Sequence, residues 1–196
     1  ADVGELVFLS PAEAFVTRIK LAVAGGFALS VPVLLFQIAR FLSPLLSPAA
    51  RRTAFALIPV AVLLFAVGAT FAYTVLLPFA LRFLLSFAGP EMVPMLSVAA
   101  YIRFVLWLVF PLGVIFQLPI VVTFLARLGI IDSRSMSRRR KYAVLGIFIV
   151  SAILTPADVF SQFLMAVPLL VLYEVSIVIA RVAGRSRAGD GGLEKV

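Results

Sequence analysis

Residues 154–162 read Leu154-Thr155-Pro156-Ala157-Asp158-Val159-Phe160-Ser161-Gln162. They join two apolar runs, Tyr142–Leu154 and Val159–Ala180, by a turn of only a few residues. Pro156 has no backbone donor and pushes Thr155 toward an extended conformation, so the first run must stop there. Asp158 stands where a helix N-cap belongs, with Gln162 one turn further on. A tight, polar, proline-broken hairpin between two such apolar segments is the most informative feature of the chain.

Composition settles the class. Hydrophobic residues make up 63% and charged residues 13%, with a mean hydropathy of +1.18. Soluble domains average roughly 45–50% and 25%. Several runs exceed the ~18 residues that mark a membrane span. The expectation is an all-α polytopic membrane protein. The chain has no Cys and no His, which excludes disulfides, thiol catalysis and the usual zinc, haem and iron–sulfur sites. No cofactor or metal is expected. A net charge of +8 in so apolar a chain sets topology rather than binding nucleic acid. Nor is an enzyme expected. No phosphate- or dinucleotide-binding motif is present. Asp158 and Glu174, sixteen residues apart, lie about 24 Å apart along a helix, too far for a carboxylate dyad.

Along the chain, Ser10-Pro11-Ala12-Glu13 predicts a helix start, with Ser10 as N-cap, Pro11 at the first helical position and Glu13 closing a capping box. Span one is expected over Leu21–Ala39. A short loop, Arg40–Arg52, carries Ser43-Pro44 and Ser47-Pro48 and ends in Arg51-Arg52. Span two runs over Ala54–Leu77, and a longer connection, Pro78–Tyr101, starts with helical spacing over Phe79–Phe87 and breaks at Gly89-Pro90 and Pro94. Span three covers Phe104–Leu125. Span four, Tyr142–Leu154, has only thirteen residues, about 20 Å of helix against a hydrocarbon core of about 30 Å. Glu174 divides span five and leaves Val159–Tyr173 as a second short apolar stretch. Residues 1–182 thus form a single transmembrane domain, and the Gly-rich tail, 183–196, is expected to be disordered. Pro32, Pro59, Pro111, Pro119 and Pro168 kink the long spans into a cup-shaped wall.

Thirteen of the seventeen Lys and Arg residues fall in Arg40–Arg52, Ala126–Lys141 and the C-terminal end from Arg181 onward. The positive-inside rule makes these regions cytoplasmic, including the C-terminus. The N-terminal segment, Pro78–Tyr101 and the Thr155–Asp158 turn then face outside. The chain does not start with Met, and its first residues lack a signal-peptide pattern. An additional preceding span, making six, is the simplest way to bring the first segment outside.

Gln117, in mid-span, has two readings: it satisfies backbone freed by Pro119, or it hydrogen-bonds a partner helix. Glu174 is either a functional intramembrane acid or a boundary residue that pairs with Arg181 or reaches water. Thr155, Asp158 and Gln162 are either turn and cap chemistry or a wet pocket for a partner helix. Arg51-Arg52 and Arg138–Lys141 read as topology anchors with lipid headgroup contact.

Taken together, these pieces resemble the TatC family, the multi-span subunit of the twin-arginine protein translocase. The likeness covers nearly the whole chain. It is carried by Ser10-Pro11-Ala12-Glu13-Ala14-Phe15, Phe41-Leu42-Ser43-Pro44-Leu45-Leu46 with Arg51-Arg52, Phe116-Gln117-Leu118-Pro119, and the 154–162 stretch. The resemblance implies six spans with the last two short, in a bacterial or archaeal cytoplasmic membrane. It implies recognition of twin-arginine signal peptides on folded cargo, and transport driven by the proton-motive force. Single-span subunits of the TatA and TatB type would be partners in a hetero-oligomer. It assigns Phe41, Pro44, Leu46, Arg51 and Arg52 to signal-peptide binding. Gln117, Thr155, Asp158 and Gln162 go to partner-helix docking, and Pro11, Glu13 and Phe15 to the outer structure. The chain departs from the family pattern at two places. Ala50 stands where the family carries an acid before the paired arginines, and Gln117 where it often carries Glu. A small-solute transporter or channel, with Gln117 and Glu174 along its path, is the alternative.

Overall fold

A computed structural model describes residues 7, 10–45, 48–87, 97–156 and 158–190, with backbone alone for 45, 49, 50 and 183–190. Leu46, Ala157 and residues 88–96 and 191–196 therefore lie outside the described residues. Apart from one parallel bridge, Val7 to Ser97, the described elements are helical. In chain order they are α1 (Pro11–Leu42), a 3-10 turn (Ser43–Leu45), α2 (Pro48–Ala56), α3 (Ile58–Phe71), a π-helical turn (Ala72–Leu76) and α4 (Leu77–Ser86). Then follow α5 (Val98–Ile115), α6 (Leu118–Leu128), α7 (Ser133–Arg138), α8 (Arg140–Leu154) and α9 (Val159–Asp190).

The prolines act in two ways. Pro32, Pro111 and Pro168 sit inside continuous helices. Pro59, Pro78 and Pro119 instead fall at the first or second position of a new helical segment. There a missing N–H costs nothing, since the first turn has no partners for its donors. Pro78 comes two residues after the π-helical turn ends at Leu76, whose wider winding accommodates a ring that would strike the carbonyl four residues earlier. Pro119 likewise breaks span three at Phe116-Gln117, and α6 ends on Gly129 at φ 76°, the left-handed conformation that stops helices.

Four helical stretches are long and apolar enough to cross a membrane: Pro11–Leu42, Arg51–Ser86, Val98–Leu128 and Val159–Val182. With the short α8 (15 residues), these are the five expected spans. The expectation that both of the last helices are short needs correction. Glu174 does not interrupt α9, which runs for 32 residues and passes the expected tail boundary at 182. Only its uncharged stretch is short. A glutamate has good helix propensity, and here its charge meets Arg140 Nη2 at 2.7 Å, not Arg181. Because Arg140 opens α8, that pair ties the first turn of α8 to α9.

The core lies where α3 to α5 meet α8 and α9. Ala72, Leu76, Leu108, Leu112, Phe116, Leu154, Met165 and Leu169 form one buried cluster. Between apolar helices in lipid, close van der Waals fit does the work that water expulsion does elsewhere. Two glycines provide it. A Cβ on Gly68 would come within 2.7 Å of the Phe116 ring, and one on Gly113 within 2.7 Å of the Phe65 ring. Each helix thus lodges a phenylalanine over a glycine of the other.

Candidate functional site

The first candidate region is the basic end of α1 and α2. Phe41 lies in the last turn of α1 and is 80% exposed. The chain then turns through Ser43–Leu45 and re-enters a helix at Pro48, whose fixed φ suits a first helical position. Arg51 and Arg52 are therefore on a helix, not in the loop expected for them, and both are exposed. With Ser43, Pro44, Pro48 and Phe55 they line a depression of about 760 Å³. Phe55 is seated by Phe36, with ring centroids 5.6 Å apart.

Beside it, between α1, α3 and α5–α6, lies an apolar groove of about 370 Å³. Phe27, Val31 and Leu35 of α1, Ala61 and Phe65 of α3, and Phe124 of α6 are among its walls, and Gln117 is its polar member. Gln117 sits at the α5–α6 break. Its Nε2 donates to the Ala61 carbonyl at 2.9 Å, while its Oε1 is buried with no hydrogen-bond partner among the described residues. The bond is interhelical, as the second reading has it, and its partner is α3 of the same chain. The amide ties the broken span to α3, across the groove floor.

The α8–α9 hairpin uses its polar side chains internally. Thr155 Oγ1 donates to the Ser151 carbonyl at 2.8 Å. Asp158 Oδ2 accepts from the Ser161 backbone N–H, the bond expected of an N-cap. Gln162 Nε2 donates to the Phe148 carbonyl at 3.1 Å. Thr155 and Asp158 are buried and Gln162 half-buried, so the open surface here is apolar, with Ile153, Val159, Phe160 and Phe163 exposed.

At the start of α1, Pro11 takes the first helical position and Phe15 is exposed. The capping box is not formed as expected, because the Ser10 side chain makes no cap bond. Glu13 reaches a different helix. Its Oε1 accepts from Ser97 Oγ and from the Ala99 N–H at 2.9 Å, so it caps α5. A carboxylate is well placed at that positive helix end. Beside it, Val98 N–H donates to the Val7 carbonyl at 3.3 Å. Sequence spacing hides the Glu13 contact because its partners are more than eighty residues apart.

The family model described as Sec-independent protein translocase protein (TatC) matches residues 2–168. The chain belongs to the TatC family. The Sec-independent protein translocase protein TatC of Carboxydothermus hydrogenoformans is 47% identical over 90% of this chain and 73% of its own length. That of Aquifex aeolicus is 42% identical over 93% of this chain and 77% of its own length. A crystal structure described as the twin-arginine translocase receptor TatC superposes with a TM-score of 0.75 at 42% identity. It covers 91% of this chain and 79% of that one. Within this TatC-family chain, sequence reading had not singled out Ser97, Ser151, Ser161 or the Arg140–Glu174 pair. The first three are small polar residues in or beside apolar runs, and only their tertiary surroundings distinguish them. Among the described residues no group of His, Cys, Asp and Glu could hold a metal.

Proposed function

We propose that this chain is the receptor and core subunit of a twin-arginine translocase. In this reading it binds the signal peptides of folded cargo and docks single-span partner subunits for export driven by the proton-motive force. It catalyses no chemical step. Membership of the TatC family is the observation that carries the proposal. The apolar groove beside the depression at the end of α1 supports it, because a signal peptide carries an apolar segment next to its charged motif. Phe41, Pro44, Leu46, Arg51 and Arg52 are assigned to this contact. The protein would lie in a bacterial or archaeal cytoplasmic membrane with its C-terminus in the cytoplasm, and Arg138–Lys141 would meet lipid headgroups.

Two cationic arginines do not attract a paired-arginine motif, and Ala50 supplies no carboxylate for bidentate pairing. The acid is therefore expected outside the described residues. For partner helices the proposed surface is the exposed apolar face of the hairpin together with the groove at Gln117. Thr155, Asp158 and Gln162 would act there by holding the hairpin in shape, and Gln117 by its unpartnered Oε1. The deciding experiment is binding of a twin-arginine signal peptide and its twin-lysine version to the full-length protein in nanodiscs. Preference for arginine is the expected result. Equal binding of both would remove the receptor role.

A further inference from the structure

The α8–α9 hairpin contains three buried oxygens that no described protein group satisfies: Ser151 Oγ, Asp158 Oδ1 and Ser161 Oγ. Ser151 and Ser161 are 0% exposed and Asp158 4%. Leaving even one such atom unpaired costs about 1–3 kcal/mol, so three in one hairpin require an explanation. The connections around them place them together. Asp158 and Ser161 share one helical turn and are joined through Oδ2. The bond from Gln162 Nε2 to the Phe148 carbonyl and the contact of the Phe148 and Phe163 rings at 5.2 Å fix the register of the two antiparallel helices. Counting from that contact, Ser151 comes level with residues 158–161. No direct bond links the three oxygens, although all sit at one level of the same helix pair.

We propose that these three atoms hold one internal water molecule, which bridges α8 to α9 at the mouth of the hairpin. The donor count selects water. Two serine hydroxyls each have a proton to donate, and Asp158 Oδ1 can only accept. A water accepts from both hydroxyls and donates to the carboxylate, which satisfies all three atoms at once. A metal cation would use only the oxygen lone pairs, whereas water matches the mix of two donors and one acceptor. Buried waters typically make about three hydrogen bonds to groups of this kind. The bridge completes the turn that Pro156 opens, and it makes Ser151 and Ser161 positioning residues for the short α8.

The test is a high-resolution crystal structure of the full-length protein in lipid, grown once with sodium and once with thallium(I) as the monovalent cation. The expected result is one peak within hydrogen-bond distance of Ser151 Oγ, Asp158 Oδ1 and Ser161 Oγ, with no anomalous signal in thallium. A thallium peak at that position would replace water with a cation site and overturn the proposal. Absence of any peak, with the three oxygens bonded directly to one another, would also overturn it. Thermal unfolding supplies an independent readout. Ser151→Ala and Ser161→Ala should each lower Tm by roughly 2–4 °C, and the double variant should fall little further, because either loss breaks the same bridge. Fully additive shifts would show two unconnected serines.

Discussion

Helices α1 and α5–α6 are of nearly equal length but sit in different surroundings. In the most apolar stretch of α1 only 6% of the residues are buried, against 33% in the Val98–Leu128 stretch and in α9. Yet both are strongly apolar by composition. The difference lies in what each helix meets. α5 is locked onto α3 by reciprocal glycine–phenylalanine contacts, whereas a Cβ added to Gly25 or Gly26 of α1 would have none of the described residues within 4 Å. A helix that is hydrophobic all round but buried on one narrow stripe leaves its remaining surface to lipid or to another helix. In the present fold α1 also walls the apolar groove and ends at the basic depression.

Substitutions at the glycines are the sharpest way to break this contrast. Gly68→Ala should be the most damaging, because its new methyl also meets the anchored Phe116 Cβ at 2.9 Å. A loss of about 1–3 kcal/mol is expected from such overpacking, read as a drop in Tm of the detergent-solubilised protein. Gly113→Ala should cost less, since the Phe65 ring it meets can shift. Glu13→Ala comes next. Removing its acceptor for the Ala99 N–H, with Ser97 left as the N-cap of α5, should cost about 0.5–1.5 kcal/mol, and faster backbone hydrogen exchange at Ala99 would report it, with Glu13→Gln retaining part of the protection. Arg140→Ala should change Tm little, because both partners of its ion pair are 51% exposed and such pairs are worth about 0–1 kcal/mol. Gly25→Ala on α1 is the opposite control: with open space around it, better helix propensity should leave stability unchanged or slightly raised. If Gly25→Ala destabilised as much as Gly68→Ala, α1 would be packed against something and the contrast would fail.

For partner docking the same logic applies. Gln117→Ala should weaken crosslinking of a single-span subunit to the groove while leaving signal-peptide binding mostly intact. Unchanged crosslinking would remove Gln117 from the partner surface.

Much of the fold is legible in the residues alone. Hydropathy places the spans because a lipid-facing helix has to be apolar along its whole length, irrespective of what it touches. Proline marks Thr155 and the Gln117–Pro119 stretch as break points through backbone sterics. The same local chemistry identifies Asp158 as a cap. Its reach ends where a side chain chooses a distant partner. Glu13 was expected to close its own helix and instead caps α5. Gln117 was read against backbone freed by Pro119 or as an interhelical contact, and it holds the Ala61 carbonyl of α3, a partner helix that local sequence does not name. Glu174 finds Arg140 across the hairpin instead of Arg181 on its own helix. Local sequence thus determined which stretches are apolar enough to cross a membrane and where proline interrupts them, because those properties depend on a residue and its near neighbours. Tertiary structure alone decided which helix is buried, which polar groups are satisfied and which stay free, because those depend on groups that meet only after the chain has folded.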